Sequence, residues 1–524
     1  MLLAERYKAS AADATNRENE SWQTIPLDER LTRSLIKGVT EHLKDDISEA
    51  LNTYPSPMSI IDGPLTRGMN RVGELFGEGK MFLPQVVKSA RVMKEAVILL
   101  QPALEAHAAA NREGNRRPRV ILATVKGDVH DIGKNIVHIV LACNNLEVID
   151  LGVMVDNADI IRAAREHQAD IIGVSGLITP SLGEMEELCR RLQEEQMNIP
   201  LIVGGATTSG VHTAVKLAPL YDAGVIAGGD ASCTVHIIKR LLEDRENYIL
   251  EIKEEQERTR ELYARRQQKY ISPEEARQRA PKYDWKQLPP SNFGEHNLLA
   301  KHLNIAEVIG RIDWTPFFHF WGFKGKYPEL VYTNEEAEEL HNNALAVLNE
   351  MILEDNVDIS LVVRFFDAYA ENDDIVLENG VRLPMPRQRL DQAECLSLAD
   401  FIPPREIGTR AIGLFCLKVE NKVAAKDARD YHHLLRESIC ARLAEATAEW
   451  MQEQVEEGTH VIRPAFGYPA CPDHALKKVA FELLDAPAQI GVSLTENYSI
   501  TPSTSLCGML ISHPSARYFS IGIE

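Results

Sequence analysis

Apolar residues recur at helical spacing in the first part of the chain, from Leu31 to about residue 110. One stripe contains Leu31, Leu35, Val39 and Leu43, and a second contains Val86, Val87, Ala90, Met93, Val97 and Leu100. Such spacing places the apolar side chains on one face of each helix. Prolines at positions 55, 64 and 84 divide the segment. The pattern therefore predicts a four-helix bundle over residues 29–112, after a polar tail at 1–28.

A different pattern begins at Arg119, where short runs that are apolar throughout alternate with amphipathic stretches. The runs are Val120–Val125, Glu147–Leu151, Ala169–Ser175, Pro200–Val203 and Gly224–Ala227. Strands of this kind, alternating with helices, are typical of a parallel sheet covered on both faces. We therefore expect residues 117–245 to form an α/β domain with a five-stranded parallel sheet of the flavodoxin-like (Rossmann-like) kind. Such a sheet binds ligands beyond the carboxyl ends of its strands.

The remainder of the chain combines a charged segment with an α+β pattern. Residues 246–290 are dense in Glu, Lys, Arg and Gln, which favours a solvated linker helix. Over residues 291–524 the pattern predicts a long amphipathic helix at Asp430–Val455 and short strands at Ser360–Phe365, Ile412–Val419 and Tyr518–Ile523. The predicted fold class is multidomain, with a helical bundle, an α/β domain and an α+β domain.

Composition narrows the classes of partner. The 524 residues carry 57 Lys and Arg against 77 Asp and Glu, a formal charge of -20. This balance disfavours nucleic acid, whose affinity for proteins comes mainly from basic contacts. No apolar run approaches the roughly 18 residues of a membrane span. The 8 cysteines are scattered without a Cys-x-x-Cys pair, as expected of buried thiols in a reducing compartment. We expect a cytoplasmic monomer without membrane or nucleic-acid partners.

The loop after the first predicted strand carries the strongest chemical signal, Asp128-Val-His130-Asp-Ile-Gly133. A histidine at this place points toward the crevice in which the fold binds ligands. A carboxylate two residues earlier can hold the Nδ1 proton of His130, which leaves Nε2 to face a metal. The alternative interpretation is a surface histidine in an Asp-rich turn.

Two further loops bring small and hydroxyl residues to the same edge of the predicted sheet. The loops after the third and fourth strands contain Ser175, Leu177, Thr179, Ser181, Gly204 and Gly205. Glycines let a large flat ligand lie against the backbone, and hydroxyl groups can bond to its amides. The sequence has no Gly-x-Gly-x-x-Gly and no Walker lysine, so a nucleotide bound through phosphate at a helix N-terminus is not expected.

The order Asp-x-His-x-x-Gly, Ser-x-Leu and Gly-Gly resembles the base-off cobalamin-binding signature. The resemblance implies that His130 is the lower axial ligand of the cobalt, and that Asp128 and Ser181 form a proton relay behind it. These three are the implied catalytic residues. The nucleotide tail of the cofactor would occupy a deep slot near Ser175, Leu177, Gly204 and Gly205. The remaining implied cofactor contacts in this domain are Gly127, Val129, Asp131, Gly133, Thr179 and Ala231.

The helical segment extends the resemblance to cobalamin-dependent methionine synthase. The stretch from Gly73 to Met93 is similar to the cap that covers the upper face of methylcobalamin in that family. The match implies that Phe76 and Leu83 shield the methyl group and that Asp62 contacts the cofactor. Without the family, ordinary core packing is the simpler interpretation of Phe76 and Leu83.

The C-terminal domain resembles the activation domain of the same family, which binds S-adenosylmethionine. The similar segments begin at Arg311 and Ile462. Within them Asp313 can pair with the α-ammonium of the ligand, and Arg463 can make a bidentate contact with its carboxylate. The resemblance also places Tyr518 and Phe519 near the ligand.

Three features depart from the family pattern. The homocysteine and folate modules are absent from the sequence, and the catalytic zinc belongs to the missing homocysteine module. A short Glu-rich link after Gln452 replaces a longer insertion, which leaves the role of Glu457 open. Arg463 could instead cap a helix or neutralise Glu456 and Glu457. The chain stops at Glu524, where many members continue, so we expect a piece of a longer protein.

The resemblance implies the cobalamin-carrying and reactivation half of a methyltransferase, methionine synthase. In that family cobalt(I) takes a methyl group from methyltetrahydrofolate and gives it to homocysteine. Oxidation to cobalt(II) is reversed by S-adenosylmethionine and one electron from flavodoxin or a similar reductase. A corrinoid shuttle protein is an alternative, but shuttles end after the sheet. A cobalamin-based sensor and a cobalamin-dependent mutase are disfavoured, because the chain has no basic region and no barrel.

Overall fold

The computed structural model describes residues 22, 24–77, 80–108, 116–144, 146–229, 231–265, 270–288, 293, 299–423, 430–455 and 460–521. The first part is a helical bundle, as its apolar stripes predict. Its helices are Leu27–Lys37, Leu43–Thr53, Pro57–Ile60, a π-helical turn at Ile61–Leu65, Thr66–Gly77 and Leu83–Ala108. Leu31, Leu35 and Leu43 are fully buried. Val39 is exposed, because the first helix ends before it at Lys37.

The second part is the predicted parallel sheet, which confirms the α/β fold class. Its strands β1 to β5 are Arg119–Thr124, Glu147–Asp150, Ile171–Ser175, Leu201–Gly204 and Val225–Ala227. They lie in the order β2-β1-β3-β4-β5, and every neighbouring pair is parallel. The chain changes direction across the sheet between β1 and β3, which opens a crevice beyond their carboxyl ends.

Helices cover both faces of this sheet. They are Ile132–Cys143, Asn157–Glu166, Pro180–Glu194 and Ala231–Glu243, with short helical turns at Gly210–His212, Thr213–Leu217 and Ala218–Leu220. One face buries residues such as Ile121 and Val174 against two of these helices. The apolar core on the other face, which includes Leu122 and Ile202, is continuous with the core of the helical bundle. Bundle and sheet therefore share one apolar interior.

The charged segment after the sheet is helical at Arg245–Arg265 and Pro273–Gln278. Its composition predicts a fully solvated helix, but part of the segment is buried. Gln256 is buried and donates a hydrogen bond of 2.7 Å from Nε2 to the carbonyl of Val225. Arg260 donates another, of 2.9 Å, to the carbonyl of Ala214. One face of the longer helix thus packs on the α/β domain, and Tyr248, Ile249 and Ile252 add apolar surface to that contact.

Over its described residues, the C-terminal part has a seven-stranded antiparallel sheet with helices packed on it and a separate two-stranded sheet. Strands β6 to β14 are Leu299–Leu303, Val357–Glu371, Asp374–Leu377, Arg382–Pro384, Arg410–Asn421, Val461–Ile462, Ser493–Leu494, Ile500–Thr501 and Ser505–Ser512. Its helices are Ile305–Val308, Ile309–Arg311, Thr315–Phe320, Glu329–Thr333, Glu335–Glu354, Leu398–Phe401, Tyr431–Val455, Leu476–Leu484 and Ala486–Ile490. None of the helices described in the chain is both long enough and apolar enough to cross a lipid bilayer.

Two of the three predicted strands in this part exist. Those at 360–365 and 412–419 lie within β7 and β10, which pair along most of their length, and the long helix is close to its predicted bounds. The predicted strand Tyr518–Ile523 is wrong over its described residues, because 518–521 are irregular and the preceding strand β14 ends at Ser512. The strand β10 pairs with β7 on one side and with β14 on the other.

Candidate functional site

The carboxylate of Asp128 is the centre of the candidate site. It is fully buried. Its Oδ1 accepts hydrogen bonds from the backbone N–H of His130 at 3.1 Å and from His130 Nδ1 at 2.7 Å. Its Oδ2 accepts bonds from Ser181 Oγ at 2.6 Å and from the backbone N–H of Leu177 at 2.6 Å. The loops after β1 and β3 are therefore joined through one side chain.

These contacts decide which of the two side chains carries the proton that they share. Burial alone would raise the pKa of Asp128, but hydrogen bonds from His130, Ser181 and Leu177 outweigh burial and hold its pKa far below the ordinary value. An ionised carboxylate only accepts hydrogen bonds, so Nδ1 of His130 must carry the proton that it shares with Asp128. In a neutral imidazole, Nε2 then keeps its lone pair.

His130 lies in the wall of a cavity of about 840 Å³. Part of the wall is formed by residues deep in the α/β domain, including Leu122, Leu141, Ile202 and Ile238. The cavity therefore extends from the His130 loop down between the sheet and two of its helices. The predicted cofactor contacts of the α/β domain that line this cavity are His130, Gly133, Ser175, Leu177, Gly204, Gly205 and Ala231.

Glycines make room for a bulky ligand in this cavity. A Cβ on Gly133 would meet no atom within 4 Å, so any side chain there would project into open space. Gly205 has a φ of 125°, and a Cβ there would lie 1.9 Å from the carbonyl oxygen of Gly176. The loops after β3 and β4 can approach each other this closely because Gly205 has no side chain. A deep, mostly apolar slot with a histidine nitrogen in its wall suits a large metal-containing ring with a chain-like tail.

Residues of the helical bundle also line this cavity. They are Phe76, Met81, Phe82 and Leu83, so the two predicted shielding residues and His130 share one cavity. Four residues of the C-terminal domain line it as well: His319, Phe320, Gly322 and Ser503. The sequence carries no signal for this second group, because it depends on how two domains lie against each other.

Several predicted contacts lie outside the cavity wall as the structure describes it: Asp62, Gly127, Val129, Asp131 and Thr179. Asp62 is exposed on the π-helical turn. Asp131 accepts a 3.0 Å hydrogen bond from Asn135, and Thr179 lies just before the helix Pro180–Glu194. Asp128 and Ser181 are not in the wall either, because they lie behind His130.

Sequence reasoning missed a buried ion pair that braces the His130 loop. The ammonium of Lys134, in the cavity wall, contacts both carboxylate oxygens of Asp150 at 2.5 and 2.7 Å. Burial would raise the pKa of Asp150, but hydrogen bonds from His138, Lys134 and Gly152 lower its pKa below the ordinary value. In the loop after β2, the backbone N–H of Met154 donates a hydrogen bond of 3.1 Å to the carbonyl of Asp128. The one sequence signal for this ion pair was the lysine directly after Gly133.

The C-terminal domain contacts the backbone of the His130 loop. Thr495 Oγ1 donates a 2.7 Å hydrogen bond to the carbonyl of Gly127, and Asn497 Nδ2 donates one of 2.9 Å to the carbonyl of Lys126. Gly127 has a φ of 72°, and a Cβ there would lie 2.4 Å from Asn497 Nδ2. Gly127 therefore lies in an interface between domains, and its contact with a cofactor stays a prediction.

A second cavity, of about 410 Å³, lies in the C-terminal domain and contains three of the four predicted S-adenosylmethionine contacts: Arg463, Tyr518 and Phe519. Arg463 Nη1 contacts Glu449 Oε2 at 2.8 Å and Gln452 Oε1 at 2.5 Å. The backbone N–H of Arg463 donates to the hydroxyl of Tyr518 at 3.0 Å. The guanidinium thus pairs with an acidic residue on the long helix.

Asp313, the fourth predicted contact, is outside the wall of this cavity. It is exposed, and its Oδ1 accepts a 2.9 Å hydrogen bond from the backbone N–H of Thr315 at the start of a short helix. Within the described residues, no hydrogen bond or ion pair joins Asp313 to Arg463. Glu457 and its neighbour Glu456 lie outside the described residues.

Comparison with known families agrees with this architecture. Residues 27–101 and 118–235 each match a family described as a B12 binding domain. The chain is therefore a cobalamin-binding protein with a helical and an α/β part. Residues 304–523 match the activation domain of vitamin B12 dependent methionine synthase. The three matches together cover more than half of the chain, which belongs to that family and carries its cobalamin-binding and activation domains.

Solved structures give further similarities. One described as the MetH reactivation domain bound to AdoHcy is 28% identical, with a TM-score of 0.46, over 48% of this chain and 89% of that chain. The methanol:cobalamin methyltransferase complex MtaBC from Methanosarcina barkeri is 24% identical, with a TM-score of 0.38, over 44% and 84%. A cobalamin-binding protein from Desulfitobacterium hafniense DCB-2 is 25% identical, with a TM-score of 0.32, over 41% and 98%.

The contact at Gly127 gives a prediction about how the domains dock. Gly127→Ala should loosen the Thr495–Asn497 segment from the His130 loop, because the new Cβ collides with Asn497. Gly152→Ala is the matched control, since Gly152 also has a positive φ, of 89°, but open space around it. We expect hydrogen exchange in peptides spanning 493–501 to be about fivefold faster or more in Gly127→Ala than in Gly152→Ala, as overpacking costs about 1–3 kcal/mol.

Removing the obstructing side chain should cancel the difference. In an Asn497→Gly background, which also removes the Cβ that lies 2.6 Å from the new methyl group, Gly127→Ala should change exchange in this segment no more than Gly152→Ala does. Equal exchange of the two glycine variants in the unmodified background would show that Asn497 does not hold the His130 loop.

Proposed function

We propose that this chain binds cobalamin through His130 and reactivates it with S-adenosylmethionine, as the cobalamin-carrying half of a methionine synthase. The observation that carries the proposal is the geometry of His130. Asp128 holds it from behind, in the wall of a cavity that Phe76 and Leu83 also line. The corresponding domain division is a cap at 29–112, a cobalamin domain at 117–245, a linker at 246–290 and an activation domain at 291–524.

The residues around His130 suit the lower side of the cofactor. When bound, cobalamin supplies a cobalt centre that can accept and donate a methyl group. His130 would hold it through Nε2, because Nδ1 is engaged by Asp128. If the imidazole is released, it can take up a proton at Nε2, and the ionised carboxylate of Asp128 stabilises the resulting charge. Ser181 keeps that carboxylate ionised through its own hydrogen bond.

The cap residues suit the upper side. Phe76 and Leu83 contribute apolar surface to the cavity, and Leu83 is almost fully buried. Apolar surface excludes water from a reactive group and confines it. The glycine-lined slot near Ser175, Gly204 and Gly205 would receive the nucleotide tail, where only backbone and small side chains limit its approach.

The smaller cavity is the proposed site for S-adenosylmethionine. Arg463 would exchange Glu449 for the carboxylate of the ligand, since a guanidinium matches a carboxylate bidentately. Tyr518 and Phe519 offer aromatic surface beside it. Asp313 stays our proposed contact for the α-ammonium, which requires the segment around it to approach this cavity.

The complete reaction needs groups that other domains would supply. Methyl transfer from methyltetrahydrofolate to homocysteine calls for a folate module and a zinc-containing homocysteine module, and reactivation calls for an electron from flavodoxin or a similar reductase. Buried free thiols such as Cys416 and Cys440 suit a reducing compartment, so we place the protein in the cytoplasm. A corrinoid shuttle is the second candidate, and the activation-domain match at 304–523 favours the first.

The assignment of His130 predicts a spectroscopic change. His130→Gly should still bind methylcobalamin, because the slot and the cap are intact, but its visible spectrum should be that of a cobalt without a nitrogen ligand below. Added imidazole should restore the wild-type spectrum, since it can occupy the vacated space. A spectrum identical to that of the wild type before imidazole is added would refute the assignment.

The assignment of Arg463 predicts a loss of affinity. Arg463→Ala in the full chain should weaken S-adenosylmethionine binding roughly 30-fold or more, because truncating one partner of a desolvated charge pair costs about 2–5 kcal/mol. Arg463→Lys should recover only part of this, since an ammonium cannot make the planar contact. Arg405→Ala, at an exposed position of the same domain, is the control. Equal calorimetric affinity of wild type and Arg463→Ala would exclude the site.

A further inference from the structure

The cap and the activation domain touch each other beside the cofactor cavity. The ring of Phe82 stacks on the ring of Phe323, with 4.3 Å between centroids and 11° between planes. Phe82 directly precedes Leu83 at the start of the last cap helix, and both line the cavity. Phe323 is almost fully buried just after the helix Thr315–Phe320 of the activation domain. The stack therefore joins the cap segment that carries Leu83 to the activation domain.

A charged contact lies beside the stack. Lys88 Nζ is 2.5 Å from Glu339 Oε1, and the same ammonium lies 5.7 Å from the ring centroid of Tyr431. The side chain of Glu339 is 58% exposed, so this ion pair alone contributes little to stability. The aromatic pair contributes more, because stacked rings gain energy beyond the area that they bury. We call the four residues Phe82, Phe323, Lys88 and Glu339 the cap contact.

The cap contact belongs to a larger enclosure of the cavity. His319 and Phe320 of the activation domain stand in the same cavity wall as Leu83. The same domain also contacts the loop that carries His130. There Thr495 and Asn497 donate hydrogen bonds to the backbone carbonyls of Gly127 and Lys126. The activation domain thus contacts both the cap and the loop that carries His130.

This arrangement keeps the two candidate sites apart. Among the described residues, the wall of the cavity at Arg463 has no member in common with the wall of the cavity at His130. Leu83 and Phe76 meanwhile still line the cofactor cavity. The arrangement is therefore one in which the cofactor site is covered and the Arg463 site does not open onto it.

We propose that the cap contact is a conformational device by which the activation domain holds the cap over the cofactor cavity. Its partner surface is the start of the last cap helix, where Phe82 and Lys88 meet residues of the activation domain. The contact itself does not depend on what the cavity binds. Its consequence for methyl transfer rests on the proposed function.

Hydrogen exchange on the full chain without cobalamin tests the contact. Phe82→Ala should speed exchange in peptides covering 80–90, because Phe82 is only half-buried and its main partner is Phe323. We expect acceleration of roughly two- to tenfold, the range that corresponds to a stacked pair. Tyr332→Ala is the matched control, an aromatic residue of the activation domain that is 82% exposed, and it should leave these peptides unchanged.

Charge reversal provides a test that does not remove apolar surface. Lys88→Glu and Glu339→Lys should each speed exchange in the same peptides, because each places like charges together. The double variant should return exchange toward the wild-type rate, since it restores an opposite pair. Wild-type exchange in Phe82→Ala and in both single reversals would overturn the proposal. Failure of the double variant to recover would overturn the charged part of it.

A second readout separates this proposal from the proposed function. With methylcobalamin bound, Phe82→Ala should speed photolysis of the methyl group relative to Tyr332→Ala, because the loosened cap lets the radical escape. If the chain binds no cobalamin yet the exchange results hold, the proposed function fails and the contact stands. If photolysis accelerates without any change in exchange, Phe82 acts only as a wall of the cavity and the contact is refuted.

Discussion

The buried carboxylate of Asp128 is the constraint on which the candidate site depends. An ionised group in a protein interior is unfavourable by several kcal/mol unless hydrogen bonds replace its water. Asp128 meets this requirement with donors from its own loop, at His130, and from the loop after β3, at Leu177 and Ser181. Satisfying one carboxylate therefore fixes the distance between two loops, the tautomer of the histidine and the direction in which its free nitrogen faces.

The surrounding structure keeps that small cluster in place. Lys134 and Asp150 brace the loop from the side of β2, and Thr495 and Asn497 hold its backbone from the activation domain. The absence of side chains is as important as their presence, because Gly127 and Gly205 lie where a Cβ would collide with a neighbour. The site is thus a product of three domains, although its chemistry is concentrated in one loop.

The sequence predicted the local parts of this structure and not the contacts between domains. The parallel sheet could be predicted because its strands are apolar throughout and alternate with helices, and Asp128 could be paired with His130 because they are two residues apart. The strand expected at Tyr518–Ile523 is wrong over its described residues, because strand pairing depends on distant segments and β14 is the last strand described in the chain.

Contacts between domains leave no periodic signal. The meeting of Gly127 with Asn497, or of Phe82 with Phe323, involves residues far apart in the chain. The same reason explains why Arg463, Tyr518 and Phe519 lie around one cavity while Asp313 does not. Their grouping was inferred from a resemblance, and a resemblance does not specify how the parts of a chain are arranged in one conformation.

The central claim is that Asp128 fixes the Nδ1–H tautomer of His130, and nitrogen NMR of the full chain with labelled histidine tests it directly. Spectra recorded near pH 8, above the usual imidazole pKa of about 6.5, would identify His130 by the signals lost in His130→Gly. The account predicts a protonated Nδ1 and an unprotonated Nε2. A proton on Nε2, or a mixture of both tautomers, would contradict it.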